Sequence, residues 1–339
     1  MTPLKMDGSH ILSTGSAVPD ICIDNDLLGT ILETSDDWIS TRTGIKERKI
    51  LAQHQSIIDL ATTASKQALD KGFLEAEDLD LIIFATSTSN DLFGSASQLQ
   101  YSLGAVRAAA FDITAACSGF VIALMVAHQF IQNNVYKNIL VVGADTLSQW
   151  VDWSDRTTCI LFGDGAGAAI LQQNKTNDLL SFEINTDGSE AKQLCINHKR
   201  NFNNTIGNDQ LTNLPSNSHY QPLQMNGKEV YKFAVSKVPD SINKCLQKVD
   251  LNSDDITWLL LHQANQRILE TVASKLKIPT EKVLSNIQFY GNTSAASIPI
   301  ALDEAFSTGY ICHKDTIAIA GFGAGLTWGS IMIKWHAFE

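Results

Sequence analysis

The sequence predicts an α/β protein built from two pseudo-repeated halves. Short, continuously apolar runs alternate with amphipathic helix patterns, which is how strands read when a sheet is covered on both faces. The order of these runs, together with their turn residues, recurs in the second half of the chain. A length of 339 residues fits two domains or one large one, and 44% hydrophobic residues suffice for a sizeable core.

Taken in order, the strand candidates are Leu81–Ala85, Ala109–Ile113, Ile139–Val142, Ala168–Leu171, Leu259–Leu261, Thr316–Ala320 and Ile331–Trp335. Helix candidates are Ser56–Lys71, Cys117–Asn133, Gln266–Leu276, Ser297–Thr308, and Glu229–Val249, the last kinked or split at Pro239. The repeat is read directly. DLDLIIFAT, AFDITAACSGFVIAL and KNILVVGAD in the first half answer to DITWLLLHQA, SNIQFYGNTSAASIPIAL and KDTIAIAGFGAG in the second. Each set is a strand, a second strand running into a small-residue turn and helix, then a third strand. Cys117 and Asn292 thereby fall at equivalent strand-to-helix junctions, and halves facing one another would point both side chains into one site. The polar stretch Asn197–Gln224 reads as an irregular connecting loop.

A formal net charge of −11 argues against nucleic-acid binding, which needs a positive field. No run is long and apolar enough to span a membrane; the richest, Ile317–Trp328, is interrupted by three glycines. The chain opens without a signal-peptide or transit-peptide pattern, so a cytoplasmic or plastid-stromal protein is expected. The six cysteines show neither CxxC pairs nor metal-site spacing, which favours reduced, mostly buried thiols.

Cys117 follows a buried strand and opens an apolar helix pattern. A thiol at a helix N-terminus, among small residues, is expected to favour the thiolate and to admit a substrate closely. For a random cysteine the inert core reading is the better one, and the other five keep it. His262 stands just past the run Leu259–Leu261, with Gln263 and Asn265, at a strand's carboxyl end where α/β proteins place chemistry. A neutral imidazole there can donate to a developing oxyanion. Asn292, in Gly291–Ser297, reads on its own as a helix cap, and only its equivalence to Cys117 raises it. The glycines of Gly321–Gly325 expose backbone N–H groups of the kind an oxyanion hole uses. Gly163–Gly167 looks like a dinucleotide loop, but a strand follows it rather than a helix, so it reads as a packing turn.

Together these motifs resemble the β-ketoacyl-acyl-carrier-protein synthase III enzymes of the thiolase superfamily. The resemblance runs from Thr34–Ile39 and Thr41–Ile45 through AACSGF, Phe162–Ala168, HQAN and GNTSAAS to Gly321–Trp328. It implies a thiolase-like, five-layered αβαβα sandwich with halves at 1–180, carrying the nucleophile, and 181–339, carrying His262 and Asn292. It implies Cys117, His262 and Asn292 as catalytic residues, with the backbone N–H groups of Cys117 and Ala324 holding the oxyanion. Trp38, Arg42, Arg156 and Asn265 are implied as coenzyme A contacts, and Phe93 as an aromatic reaching the acyl pocket of the partner in a homodimer. Arg267 and Lys232 are implied at the face that meets an acidic carrier protein. The implied reaction condenses an acyl-coenzyme A, acetyl by default, with malonyl carrier protein, and needs neither metal nor redox cofactor. Elongating synthases differ in using a second histidine where Asn292 stands, and plant-type polyketide synthases lack the Trp38–Ile45 pattern. The family's central glycine in the last motif is Ala324 here, and Lys228 stands where some relatives carry Asn. A Cys-dependent acyltransferase or thioesterase without decarboxylation, and a non-catalytic binding protein, are the alternatives.

Overall fold

The computed structural model describes residues 8–203 and 214–336. Its two large sheets have five strands each. The first uses β1 (Gly8–Ala17), β2 (Leu81–Ala85), β3 (Ala109–Ile113), β4 (Asn138–Thr146) and β5 (Asp164–Asn174), laid side by side as β1-β5-β4-β2-β3. The second uses β6 (Leu179–Thr186), β7 (Trp258–Leu261), β8 (Val283–Leu284), β9 (Thr316–Gly323) and β10 (Thr327–Lys334), laid as β6-β10-β9-β7-β8. The two orders match strand for strand. So do the directions: β2 is parallel to β3 and β4, as β7 is to β8 and β9, and the remaining pairs are antiparallel.

The longer helices are α1 (Asp36–Thr43), α2 (Ile57–Lys71), α3 (Ala96–Leu103), α4 (Gly119–Gln132), α5 (Gly227–Gln247), α6 (Gln266–Leu276) and α7 (Ser297–Ser307). Strand alternation sorts the apolar side chains into layers. Ile82 and Phe84 of β2 face outward onto α2 and α3, while Ile83 and Ala85 face inward onto α4. On the second sheet, Leu259 and Leu261 face outward onto α5 and α6, while Leu260 faces the interior. Helices α4 and α7 fill the space between the sheets, contributing Phe120, Leu124, Ile298 and Leu302 to one cluster with Val141, Ile319 and Ile331. The result is a five-layered αβαβα stack, with α4 and α7 buried because both flanking layers are apolar. Full burial of each such large aliphatic side chain stabilises by about 1.5–3 kcal/mol.

Several elements depart from the sequence expectation. Helix α4 starts at Gly119, so Cys117 precedes it in a short 3₁₀ turn, Ala116–Ser118. Helix α5 runs through Pro239 without interruption. The glycines of Gly163–Gly167 are no turn: Asp164–Gly167 form the start of β5, and they are small because α7 lies against them. A Cβ on Gly167 would meet Pro299 Cβ at 2.6 Å. β3 is an edge strand, with Phe111 37% exposed, rather than a buried one. The second strand of the second half is only Val283–Leu284, and Ile287–Tyr290 beyond it is helical. Within Asn197–Gln224 the strands His198–Asn203 and Leu214–Tyr220 pair antiparallel, so the polar stretch contains a hairpin.

Candidate active site

The repeat brings two strand-to-helix junctions face to face. The turn Ala116–Ser118 leads into α4, and the turn Ser294–Ala296 leads into α7. The match extends to backbone conformation: Ala116 and Ser294 both take positive φ, 46° and 51°. Cys117 is therefore the counterpart of Ala295, and Asn292 lies upstream of the matched turn rather than at the position equivalent to the thiol. The turns touch, and the Cys117 thiol donates to the Ser294 hydroxyl at 3.4 Å. A third segment closes over them. A Cβ on Gly323, at the end of β9, would lie 2.8 Å from the Cys117 backbone nitrogen and 3.0 Å from its Cβ. Only a residue without a side chain lets this strand approach the sulfur so closely.

Cys117, His262 and Asn292 are 5%, 1% and 7% exposed. The sequence expectation of a thiolate is not met in this state. Burial, with Asp145 nearby, pushes the Cys117 thiol up to about 12, and its place ahead of α4 does not offset that. His262 is the opposite case: burial lowers it to about 3, so the imidazole is neutral. Its backbone N–H donates to Ala320 at 2.8 Å, fixing it to the end of β9. Its Nδ1 lies 2.7 Å from Ser297 Oγ, and its ring meets Phe322 edge-on at 5.2 Å between centroids.

Asn292 is held by backbone bonds to both sides of Phe162: its N–H donates to Leu161 at 2.8 Å, and its carbonyl accepts from Gly163 at 3.1 Å. The side-chain oxygen accepts from the Ser294 N–H at 2.9 Å. Asn292 is thus not the helix cap expected from sequence, since Thr293 and Ala296 hold the cap positions without side-chain bonds; its side chain instead closes a local turn, with the residue lining the cavity.

That cavity, about 610 Å³, is lined by all three residues and opens past Trp38, Arg42, Arg156 and Lys228. A second cavity, about 570 Å³, is lined by Cys117 and Ser294, by Leu147, Trp150, Phe162 and Leu223, and by the polar segment Ser87–Leu92. Cys117 and Phe162 line both, so the sulfur sits where the two spaces meet. Ala324 lines the second cavity. It has no positive φ, which Gly325 takes instead at 134°.

The residues expected to grip a nucleotide gather at the mouth of the first cavity. The guanidinium of Arg42 lies 4.6 Å from the centre of the Trp38 ring and that of Arg156 5.2 Å, leaving an aromatic plane flanked by two cations. Arg156 also donates to the Glu33 carbonyl. Asn265 lines this cavity but has two structural bonds, accepting from the Arg267 N–H at 2.9 Å as cap of α6 and donating to the Arg42 carbonyl at 3.2 Å. Lys232 is paired with Glu229 at 2.7 Å, which reduces its free charge, while Arg267 lines the mouth. Phe93 is 98% exposed and does not line either cavity of its own chain. Sequence reasoning missed Ser297, Ser294 and Asp145. The two serines lie inside GNTSAAS and read as turn residues; Asp145 ends β4 where a strand meets the site, the position at which His262 drew attention.

Paired α/β halves, with a buried thiol, imidazole and carboxamide at their shared junction, define a condensing enzyme of the thiolase-like class. Two family models match, 3-oxoacyl-[acyl-carrier-protein (ACP)] synthase III over residues 111–188 and its C-terminal counterpart over residues 246–335. The beta-ketoacyl-[acyl-carrier-protein] synthase III of Porphyra purpurea is 53% identical over 329 residues, covering 97% of this chain and 100% of its own. That of Nostoc sp. is 53% identical over 328 residues, covering 97% and 98%. Among solved structures, 3-oxoacyl-[acyl-carrier-protein] synthase III from Aquifex aeolicus superposes with a TM-score of 0.87 at 42% identity, covering 97% of this chain and 100% of that one. The Pseudomonas aeruginosa enzyme gives 0.88 at 36%, covering 98% and 99%. The chain belongs to the beta-ketoacyl-[acyl-carrier-protein] synthase III family.

Proposed function

We propose that this enzyme performs a decarboxylative condensation in two half-reactions at one sulfur. The observation that carries this reading is the shared position of Cys117, at the meeting of a cavity lined with His262 and Asn292 and a second one walled in part by Leu147, Trp150, Phe162 and Leu223. Cys117 takes an acyl group from acyl-coenzyme A, whose nucleotide end rests on Trp38, Arg42 and Arg156. The oxyanion is held by the backbone N–H groups of Cys117 and Ala324. The acyl chain lies in the second cavity. Malonyl carrier protein then occupies the first cavity, where neutral His262 and the NH₂ of Asn292 hold its thioester oxygen as carbon dioxide leaves. The carbanion attacks acyl-Cys117 and gives the β-ketoacyl thioester. Acetyl is the default primer, and coenzyme A enters as part of the substrate, not as a cofactor.

Several further assignments belong to the same reading. The division into halves 1–180 and 181–339 is supported by the passage from the first sheet to the second between Asn174 and Leu179, a few residues before the expected boundary. Phe93, on an exposed loop next to residues 90–92 that line the second cavity, reaches the corresponding cavity of a partner subunit in a homodimer. Arg267 and Lys232 meet the acidic carrier protein. Cytoplasm or plastid stroma is supported by the cyanobacterial and red-algal relatives; no described helix is long and apolar enough to cross a membrane.

The test separates the half-reactions. Wild-type protein mixed with acetyl-coenzyme A gains one acetyl mass by intact-mass measurement, and Cys117→Ala does not. Asn292→Ala acylates but releases far less carbon dioxide from malonyl carrier protein. Acylation that persists in Cys117→Ala would overturn the reading.

A further inference from the structure

The second cavity, about 570 Å³, has the size of a site that holds a whole small ligand, and an acetyl group on Cys117 would leave most of it empty. An aromatic side chain entering from a partner subunit would take up part of that space and not all of it. What a longer acyl chain meets follows from the lining. Phe162 lines both cavities and stands with Cys117 at their junction, its two neighbours bonded to the Asn292 backbone. Trp150, Tyr220 and Leu223 line the second cavity alone, and Tyr220, 45% exposed, marks its outer end. The polar part of the lining is fixed: the Ser87 N–H and the Thr88 hydroxyl donate to the buried Asp145 carboxylate at 2.8 and 2.9 Å. A hydrocarbon chain laid against Ser87–Asp91 would desolvate polar groups without bonding them, so it follows the apolar residues outward from Phe162.

At the end of that path stands Trp150. It follows the 3₁₀ turn Leu147–Gln149, and its backbone is tied on both sides. Its N–H donates to Leu147 at 2.9 Å, and its carbonyl accepts from Leu223 at 2.7 Å. These bonds fix where the indole is rooted. Tyr220 braces the ring itself, meeting it edge-on at 5.7 Å between centroids. Tyr220 ends the second strand of the hairpin, where it pairs with the exposed His198, and those two rings lie 5.0 Å apart. Trp150 and Tyr220 line the cavity and His198 does not, so the three rings run from the cavity toward the surface.

We propose that the Trp150–Tyr220 pair sets the longest primer that Cys117 accepts, and that the space inside it takes straight acyl chains longer than acetyl. The inference deepens the proposed function and rests on acyl transfer to Cys117. A chain too short to reach the pair gains apolar contact with each added methylene. One that reaches it must push apart two packed rings and lose their contact. Loading therefore drops steeply at one chain length instead of declining gradually. The selection acts on the acyl end alone, because the nucleotide end of every primer rests in the other cavity, on Trp38, Arg42 and Arg156.

The test is a series of acyl-coenzyme A primers, from acetyl through butyryl, hexanoyl and octanoyl to decanoyl, with the rate of acyl-enzyme formation read by intact mass. Wild-type protein, Trp150→Ala, Tyr220→Ala and Phe93→Ala are compared. The wild type loads butyryl as well as acetyl, then falls on the order of 100-fold across one step of the series. In Trp150→Ala that step moves to a longer primer, and loading of the first excluded primer, relative to acetyl, rises on the order of 100-fold. Tyr220→Ala moves it the same way by about tenfold. Tyr220 is half-exposed, so its variant carries the test if Trp150→Ala fails to fold. Wall variants that lose rate equally for every primer overturn the proposal, as does a step that moves only in Phe93→Ala or a wild type that loads acetyl alone. A wild type that acylates from no primer at all is a different result, and removes the proposed function itself.

Discussion

Ser297 Oγ lies 2.7 Å from His262 Nδ1 and also accepts the Gln263 N–H at 3.3 Å. A Ser297 hydroxyl that donates to Nδ1 leaves the hydrogen on Nε2, the tautomer that donation to the thioester oxygen in the proposed reaction requires. Ser297→Ala removes that bias. Carbon dioxide release from malonyl carrier protein is expected to fall about tenfold, a loss of one hydrogen bond's worth of ordering. An unchanged rate of release would remove Ser297 from its positioning role.

Gly323 is constrained by space rather than by its dihedrals, since its φ of −175° is open to any residue. Adding one methyl at this position forces either Cys117 or β9 to move. Gly323→Ala should therefore lower acyl-enzyme formation on the order of 100-fold, because a small misplacement of a nucleophile is costly. Its folding, read by melting temperature, should change much less than its rate.

Arg48 is fully buried and holds the segment carrying Trp38 to the body of the protein. Its guanidinium donates to Ile23 O at 2.9 Å, and to Asn25 Oδ1 and Ile160 O at 2.8 Å each. Burial lowers it to about 10, still far above neutral pH, so it stays charged. Arg48→Ala would strand three acceptors and open a cavity, a loss on the order of 3–5 kcal/mol. Denaturant unfolding measures that loss. Coenzyme A binding should weaken in step, because α1 and its Trp38 are tied down through the same contacts.

Acid should destabilise the fold through its buried imidazoles. Burial holds folded His262 at about 3 and His128 at about 4, while both titrate near 6.5 when unfolded. Below about pH 6.5 the unfolded chain therefore takes up protons that the folded one refuses, and stability falls until the folded-state values are passed. At pH 5 each histidine accounts for about 2 kcal/mol. Asp145 and Asp164 are shifted upward by burial, so their protonation acts in the opposite sense as the pH falls. Melting temperatures from pH 7.5 to 4.5 should fall steeply in the wild type and less so in His128→Asn. Equal slopes would exclude His128 as a source.

Much of this was readable in the chain because it depends on short-range patterns. β2 and β3 were bounded correctly, as was α6, whose Asn265 cap and apolar spacing mark its start and run. The repeat was legible for the same reason, although it set Asn292 level with Cys117, a place that Ala295 holds. β1 and β6 were missed: their apolar residues are interspersed with Ser, Thr and Gly in β1 and with Ser, Glu and Asn in β6, so they lack the continuous runs used as the guide. The state of the Cys117 thiol was misread because helix position is local, whereas the burial that outweighs it comes from β9 and α7, far along the sequence. Ser294 and Asp145 were invisible for a related reason. The bond that Asp145, at the end of β4, accepts from Ala295 in the turn before α7 exists only once the two halves are packed.

The sulfur with an opening on either side has a consequence for traffic. A group it carries can lean into the rear chamber and leave the front entrance clear for the next visitor. Loading therefore need not block the route by which the second reactant arrives, and the attacking atom has no say in how long a passenger it accepts. That limit is set by the far wall, which can be remodelled without touching the chemistry.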